Sequence, residues 1–129
     1  MKQRRDGRPS NRQLKVGEQL RHLLAEALMR GELHDPALDT ASVTVSEARM
    51  SPDLRQAQVF VSELGLDAPR ETTMAALDRA SGYLGGFAAR RMNLKYAPRL
   101  TFVVDDSFAN AAKLDRLLYS SRGRTEQSG

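Results

Sequence analysis

Two arginines and two glycines, spaced to share one side of a helix, carry the most distinctive chemistry in this sequence. Projected at about 100° per residue, Arg79, Gly82, Gly86, Arg90 and Asn93 fall in one stripe, opposite Leu77, Leu84 and Phe87. The stripe has a guanidinium toward each end and no side chain between them. A phosphate backbone could approach such a helix closely, with both arginines pairing to it. Arg91, Lys95 and Arg99 extend the positive charge past the helix end. Tight packing against the first helix is the competing use of the glycines. It weighs equally at Gly85 and less at Gly82, where a kink and a phosphate contact are expected.

Other candidates for chemistry are weaker. His22 falls on a basic helix and His34 in a loop, with no Cys and no HExxH-like spacing, so both are expected to be solvated. Asp105-Asp106-Ser107 could form a metal or acid–base pair, the basis of a small hydrolase. The run stands where a strand ends and a helix begins, however, and there Asp and Ser cap free N–H groups. No GxSxG, Walker loop or Ser/His/Asp set is present. Neither catalysis, nor a metal, nor a cofactor is expected.

The elements that must position these residues follow from periodicity. Residues 1–9 predict a disordered basic arm. Ser10 or Asn11 caps a helix whose apolar positions Val16, Leu20, Leu23, Leu24, Ala27 and Leu28 recur every three or four residues. Gly31 ends it. Arg12, Lys15, Arg21 and Arg30 face outward. From Ala41 the period becomes two, through Val43 and Val45. A turn at Ser51-Pro52-Asp53 then leads to a second strand through Ala57, Val59 and Val61. Helical periodicity returns from Arg70 to Met92. Three interior glycines, Gly82, Gly85 and Gly86, each cost about 1 kcal/mol relative to Ala, which predicts a bend or break. A break at Gly82 would expose free N–H groups, itself an anion site. Tyr96-Ala97-Pro98 is expected to end this helix. Leu100, Phe102 and Val104 mark a third strand, and a last short helix runs to Leu118. Residues 119–129 predict a disordered polar tail. The expected fold class is α+β with two layers, a three-stranded sheet covered by helices on one face, and a right-handed crossover between the last two strands.

Composition narrows the function. The 129 residues contain no Cys, so disulfide, zinc-ribbon and thiol chemistry are excluded. No apolar stretch approaches the ~20 residues of a membrane span, and the basic N-terminus lacks a secretory apolar region. A cytoplasmic protein with no membrane partner is expected. The net charge of +4 conceals a pattern. Residues 1–30 hold eight basic and three acidic side chains, and residues 31–75 hold three and eight. Residues 76–100 hold five and one, and the remainder four of each. Two basic blocks around an acidic one predict one surface that attracts polyanions and another that avoids them.

Gly82-Tyr83-Leu84-Gly85 matches the GxxG loop of KH domains in letters, but its centre is apolar where a nucleic-acid loop would carry Lys or Arg. A wider set of motifs says more. Arg12-Gln13-Leu14-Lys15-Val16, the segments Val43-Thr44-Val45-Ser46 and Ala57-Gln58-Val59-Phe60-Val61-Ser62, the run Ala80-Ser81-Gly82, and Ala97-Pro98-Arg99-Leu100-Thr101-Phe102 followed by Asp105-Asp106-Ser107 together resemble ribosome-binding factor A. The resemblance spans residues 10–118. It implies a type II KH-like fold of order helix, strand, strand, kinked helix, strand, helix, in which an Ala-x-Gly kink replaces the GxxG loop. Ala80, Ser81 and Gly82 would form that kink. It also implies a non-catalytic factor that binds the free small ribosomal subunit and assists late maturation of 16S rRNA, including its 5′ end.

The expected contacts follow. Arg79, Arg90, Arg91, Lys95 and Arg99 meet phosphates along the kinked helix; Arg12, Lys15 and Arg21, with the arm's Arg4, Arg5 and Arg8, add non-specific attraction. Few exposed aromatics are available for stacking, so RNA shape and backbone should dominate recognition. The acidic segment 31–75 is expected to face away from RNA or toward a basic ribosomal protein, and the protein to be a monomer. The alternative is a protein–protein adaptor that docks a partner through its open sheet face or the glycine stripe.

Overall fold

Ser10 opens the first helix with a capping box: its hydroxyl accepts from the Gln13 N–H, while the Gln13 side chain accepts from the Ser10 N–H. The helix α1 (Asn11–Met29) ends through Arg30 into Gly31, whose φ of 66° is a left-handed value that suits glycine. The remaining elements are β1 (Val43–Met50), β2 (Gln56–Glu63), α2 (Glu71–Met92) and β3 (Arg99–Val104). This computed structural model describes residues 8–31, 33–38 and 42–106. The expected arm up to residue 7, the final helix and the tail 119–129 lie outside the described residues.

The sheet order is β1-β2-β3, antiparallel then parallel. The antiparallel pair is the expected hairpin, but β1 runs four residues past Ser46. A bulge between Val45 and Glu47 explains how. Val43 and Val45 face the core, and strict alternation would next send Glu47 and Arg49 inward. The extra residue resets the phase, so Met50 is buried while Glu47 and Arg49 are exposed. The Ser46 hydroxyl donates to the Phe60 carbonyl across the irregularity.

Both helices pack on one face of the sheet, α1 over β1 and α2 over β3, and they touch each other. Leu20, Leu24 and Leu28 of α1 meet Leu77 and Leu84 of α2 over Val59 and Val61, all at 0–1% exposure. Gly17 permits a close helix–sheet approach: a Cβ there would lie 2.5 Å from the Ala48 carbonyl oxygen. The start of α2 is capped from outside itself. Buried Glu63 accepts from the Arg70 backbone N–H (3.0 Å), from the Arg70 guanidinium and from the Thr73 hydroxyl (2.9 Å).

Candidate nucleic-acid interface

The helix carrying the glycine stripe is continuous. It runs through Gly82, Gly85 and Gly86 to Met92, so the expected break, with its free N–H groups at Gly82, does not form. Burial offsets the glycine penalty. Leu77 and Leu84 are fully buried, each stabilising by about 1.5–3 kcal/mol, against about 1 kcal/mol lost per glycine. Ala80, Ser81 and Gly82 lie inside this helix, where the Ser81 hydroxyl donates to the Asp78 carbonyl at 2.7 Å. Such back-bonding leaves the helix uninterrupted. The helix stops at Asn93, whose φ of 53° is left-handed, five residues before Pro98. The Leu94 N–H donates to the Ala89 carbonyl there, so the stop does not depend on the proline.

The three glycines do different work. A Cβ on Gly85 would lie 2.6 Å from the Pro98 carbonyl oxygen, so this glycine admits the entry of β3 rather than α1. Gly82 has no heavy atom within 4 Å of that position and is exposed. At Gly86 the nearest atom is Nη1 of Arg90, 3.4 Å away, so the Arg90 guanidinium lies back over the stripe. Arg91 stands beside it with its guanidinium 5.0 Å from the Phe87 ring centre. Gly82-Tyr83-Leu84-Gly85 is helical throughout, with Tyr83 outward and Leu84 buried, and so is no GxxG loop.

The predicted cations divide into two groups. Arg79 is held by Asp35, its Nη2 and Nε donating to one carboxylate oxygen at 2.8 and 3.1 Å. Arg21 is held by Glu18 one turn earlier. Their partners respond: Arg79 holds the Asp35 carboxyl below the usual range, aided by the Ala37 N–H, and Arg21 does the same to Glu18. Arg90, Arg91, Lys95, Arg99, Arg12 and Lys15 are exposed and have no carboxylate partner among the described residues.

Arg12 and Lys95, distant in sequence, come together at one end of the molecule. They line a shallow cleft with Asp53, Leu54, Arg55, Leu94 and Tyr96. Arg55 belongs to the acidic segment expected to face away from RNA, and segment charge hid it. Its carbonyl accepts from the Arg99 N–H at 2.8 Å, so pairing of β2 with β3 brings Arg99 beside it. The signal available in the sequence was the position of Arg55 just after the Ser51-Pro52-Asp53 turn, since connecting segments run over the surface.

A family model described as ribosome-binding factor A matches residues 12–118. The chain belongs to the ribosome-binding factor A family. The relative from Rhodopseudomonas palustris (strain HaA2) is 46% identical over 120 residues, covering 93% of this chain and 88% of its own. That from Methylobacterium radiotolerans is 52% identical over 116 residues, covering 88% and 80%. Among solved structures, a ribosome-binding factor A from Thermus thermophilus superposes with a TM-score of 0.60 at 32% identity, over 71% of this chain and 94% of that one. A putative ribosome-binding factor A from Thermotoga maritima gives 0.62 at 36% identity, over 75% and 90%. A homology model of the Thermus protein, fitted into a cryo-EM map of its complex with the 30S subunit, gives 0.55 at 33% identity over 67% and 88%. The two-layer α+β architecture is therefore the KH-like fold of the ribosome-binding factor A family. Within that fold the glycine stripe and its arginines lie on the outer side of α2, away from the sheet.

Proposed function

We propose that this chain binds the free small ribosomal subunit and assists late maturation of 16S rRNA, including its 5′ end, by holding RNA backbone while changing none of its bonds. The stripe at exposed Gly82 and half-buried Gly86 carries this reading: the helix surface is open at Gly82, and the Arg90 guanidinium lies along it at Gly86. Arg91, Lys95 and Arg99 continue the positive surface from there, and Arg12 and Lys15 add charge from α1. The Thermus relative placed on the 30S subunit supports the same partner. Residues 10–118 form the RNA-binding unit, acting as a cytoplasmic monomer. The acidic segment faces a basic ribosomal protein or solvent, apart from Arg55. An adaptor would need a broad apolar docking face, whereas on the open side of the sheet half-buried Phe60 and Val103 are ringed by Thr44, Glu47, Arg49, Gln58 and Thr101, and the Arg49 guanidinium covers the Phe60 ring at 4.6 Å.

With about five phosphates neutralised, log affinity should fall with log salt at a slope of roughly −3 to −4. Binding of the Arg90→Ala/Arg91→Ala variant to purified small subunits across a salt series tests the reading. Weaker binding with a shallower slope is expected. Unchanged affinity and slope in a folded variant would remove this patch from the interface.

A further inference from the structure

The cleft at the end of the molecule combines three features that a general charge patch lacks. Tyr96 is half exposed, and the Arg55 guanidinium stacks over its ring with Cζ 4.1 Å from the centroid. Lys95 places its ammonium 5.5 Å from the same centroid, and Arg12 lines the cleft from α1. The one acid in the lining, Asp53, is already occupied: it accepts from the Ser51 hydroxyl at 2.7 Å and from the Arg55 N–H at 3.1 Å. These contacts hold its carboxyl below the usual range, so it stays bound within its own turn.

The backbone that presents these groups is held in place. Leu54 adopts φ 62°, an uncommon value for a non-glycine residue, while its side chain is buried at 8% exposure. That combination turns Arg55 out toward Tyr96. The Arg99 N–H fixes the Arg55 carbonyl, and the left-handed Asn93 fixes the start of the opposite wall. An exposed cation–π pair contributes little to stability, so the fold has little need of this one. A planar aromatic–guanidinium stack edged by ammonium and guanidinium groups suits a flat base attached to phosphate. An acidic peptide would use the charges and leave the ring idle, and duplex RNA keeps its bases out of reach.

We propose that this cleft binds one unpaired RNA nucleotide, its base stacked on the Arg55–Tyr96 pair and its phosphates between Arg12 and Lys95. This rests on the RNA-binding reading above and adds to it a single-stranded element of the target. The test uses the full chain and an octaribonucleotide carrying one 2-aminopurine, whose fluorescence falls when it stacks, beside a blunt RNA duplex of equal phosphate count. Tyr96→Ala is expected to abolish the quench and weaken octamer binding about 5- to 150-fold, with duplex binding and melting unchanged. Tyr96→Phe should restore both, and Arg55→Lys, which keeps the charge without the plane, should lose the quench at an unchanged salt slope. Wild-type quench and affinity in Tyr96→Ala would overturn the proposal, as would equal losses for octamer and duplex. So would competition of a glutamate-rich peptide for the cleft with no fluorescence change on octamer binding. Normal binding to small subunits without octamer binding would sink the cleft alone; octamer quenching without subunit binding would sink the subunit reading and leave the cleft standing.

Discussion

Arg79 and Asp35 stand 44 residues apart and meet through a pair of hydrogen bonds to one carboxylate oxygen, tying the loop after α1 to the outer face of α2. The guanidinium at one end of the predicted phosphate stripe is thus neutralised in the free protein, while Arg90 at the other end has no carboxylate partner among the described residues. Replacing Asp35 with Asn should release Arg79. Both partners are partly exposed, so stability should fall by no more than about 1 kcal/mol. If Arg79 joins the RNA contacts, affinity for the small subunit should rise and the salt slope steepen by about 0.7. Titration at several salt concentrations checks this, and an unchanged slope would place Arg79 outside the interface.

Gly82 and Gly85, three residues apart, should answer oppositely to the same substitution. Gly82→Ala meets open space and should stabilise the helix by about 0.5–1 kcal/mol. Gly85→Ala meets the Pro98 carbonyl and should destabilise by about 1–3 kcal/mol, as overpacking does. Denaturant midpoints of the two variants decide the matter.

Gly82→Leu separates folding from function. The open space around Gly82 means that no clash should follow, contrary to what a broken helix predicts. The variant should melt at or above the wild-type temperature, yet place a bulky side chain where phosphate would lie. Subunit affinity should drop several-fold and precursor 16S rRNA accumulate. Normal precursor processing would take Gly82 out of the mechanism.

Glu63 should make the fold acid-sensitive. The Arg70 guanidinium chiefly, together with the Arg70 N–H and the Thr73 hydroxyl, holds its carboxyl below the usual range against the opposing effect of burial. A carboxyl lowered in the folded state stabilises fully above its unfolded pKa of about 4.3, and that stabilisation is lost as pH falls through the lower folded value. Glu63→Gln should therefore be about 1–3 kcal/mol less stable at neutral pH. The gap to wild type should close on acidification below about pH 4. Urea unfolding at both pH values measures it, and a gap independent of pH would mean that ionisation of Glu63 contributes nothing.

The helices and strands were legible because each buries a regular face. The three- and four-residue spacing of Leu20, Leu24 and Leu28, and the alternation of Ala57, Val59 and Val61, are local patterns that need no partner to be seen. The Ser10 cap and the turn at Pro52-Asp53 were legible for the same reason. The bulge after Val45 was not, since only pairing with β2 reveals which of Glu47 and Ala48 must face out. Nor was the fate of the glycines. Their helix penalty is a local quantity, whereas the burial of Leu77 and Leu84 that outweighs it, and the carbonyl that Gly85 accommodates, belong to other elements.

The arginines divide along the same line. Sequence alone determined that Arg79, Arg90, Arg91, Lys95 and Arg99 cluster around one helix and its end, because a helix brings residues three and four apart to one face. Which of them remain available was decided by the tertiary structure, which brought Asp35 to Arg79 and no described carboxylate to Arg90. It also joined Arg12, Arg55, Lys95 and Tyr96 at one end of the molecule. Charge counted along the chain assigned Arg55 to the acidic segment. Electrostatic and stacking interactions depend on distance in space, and the parallel pairing of β2 with β3 set Arg55 against the end of α2.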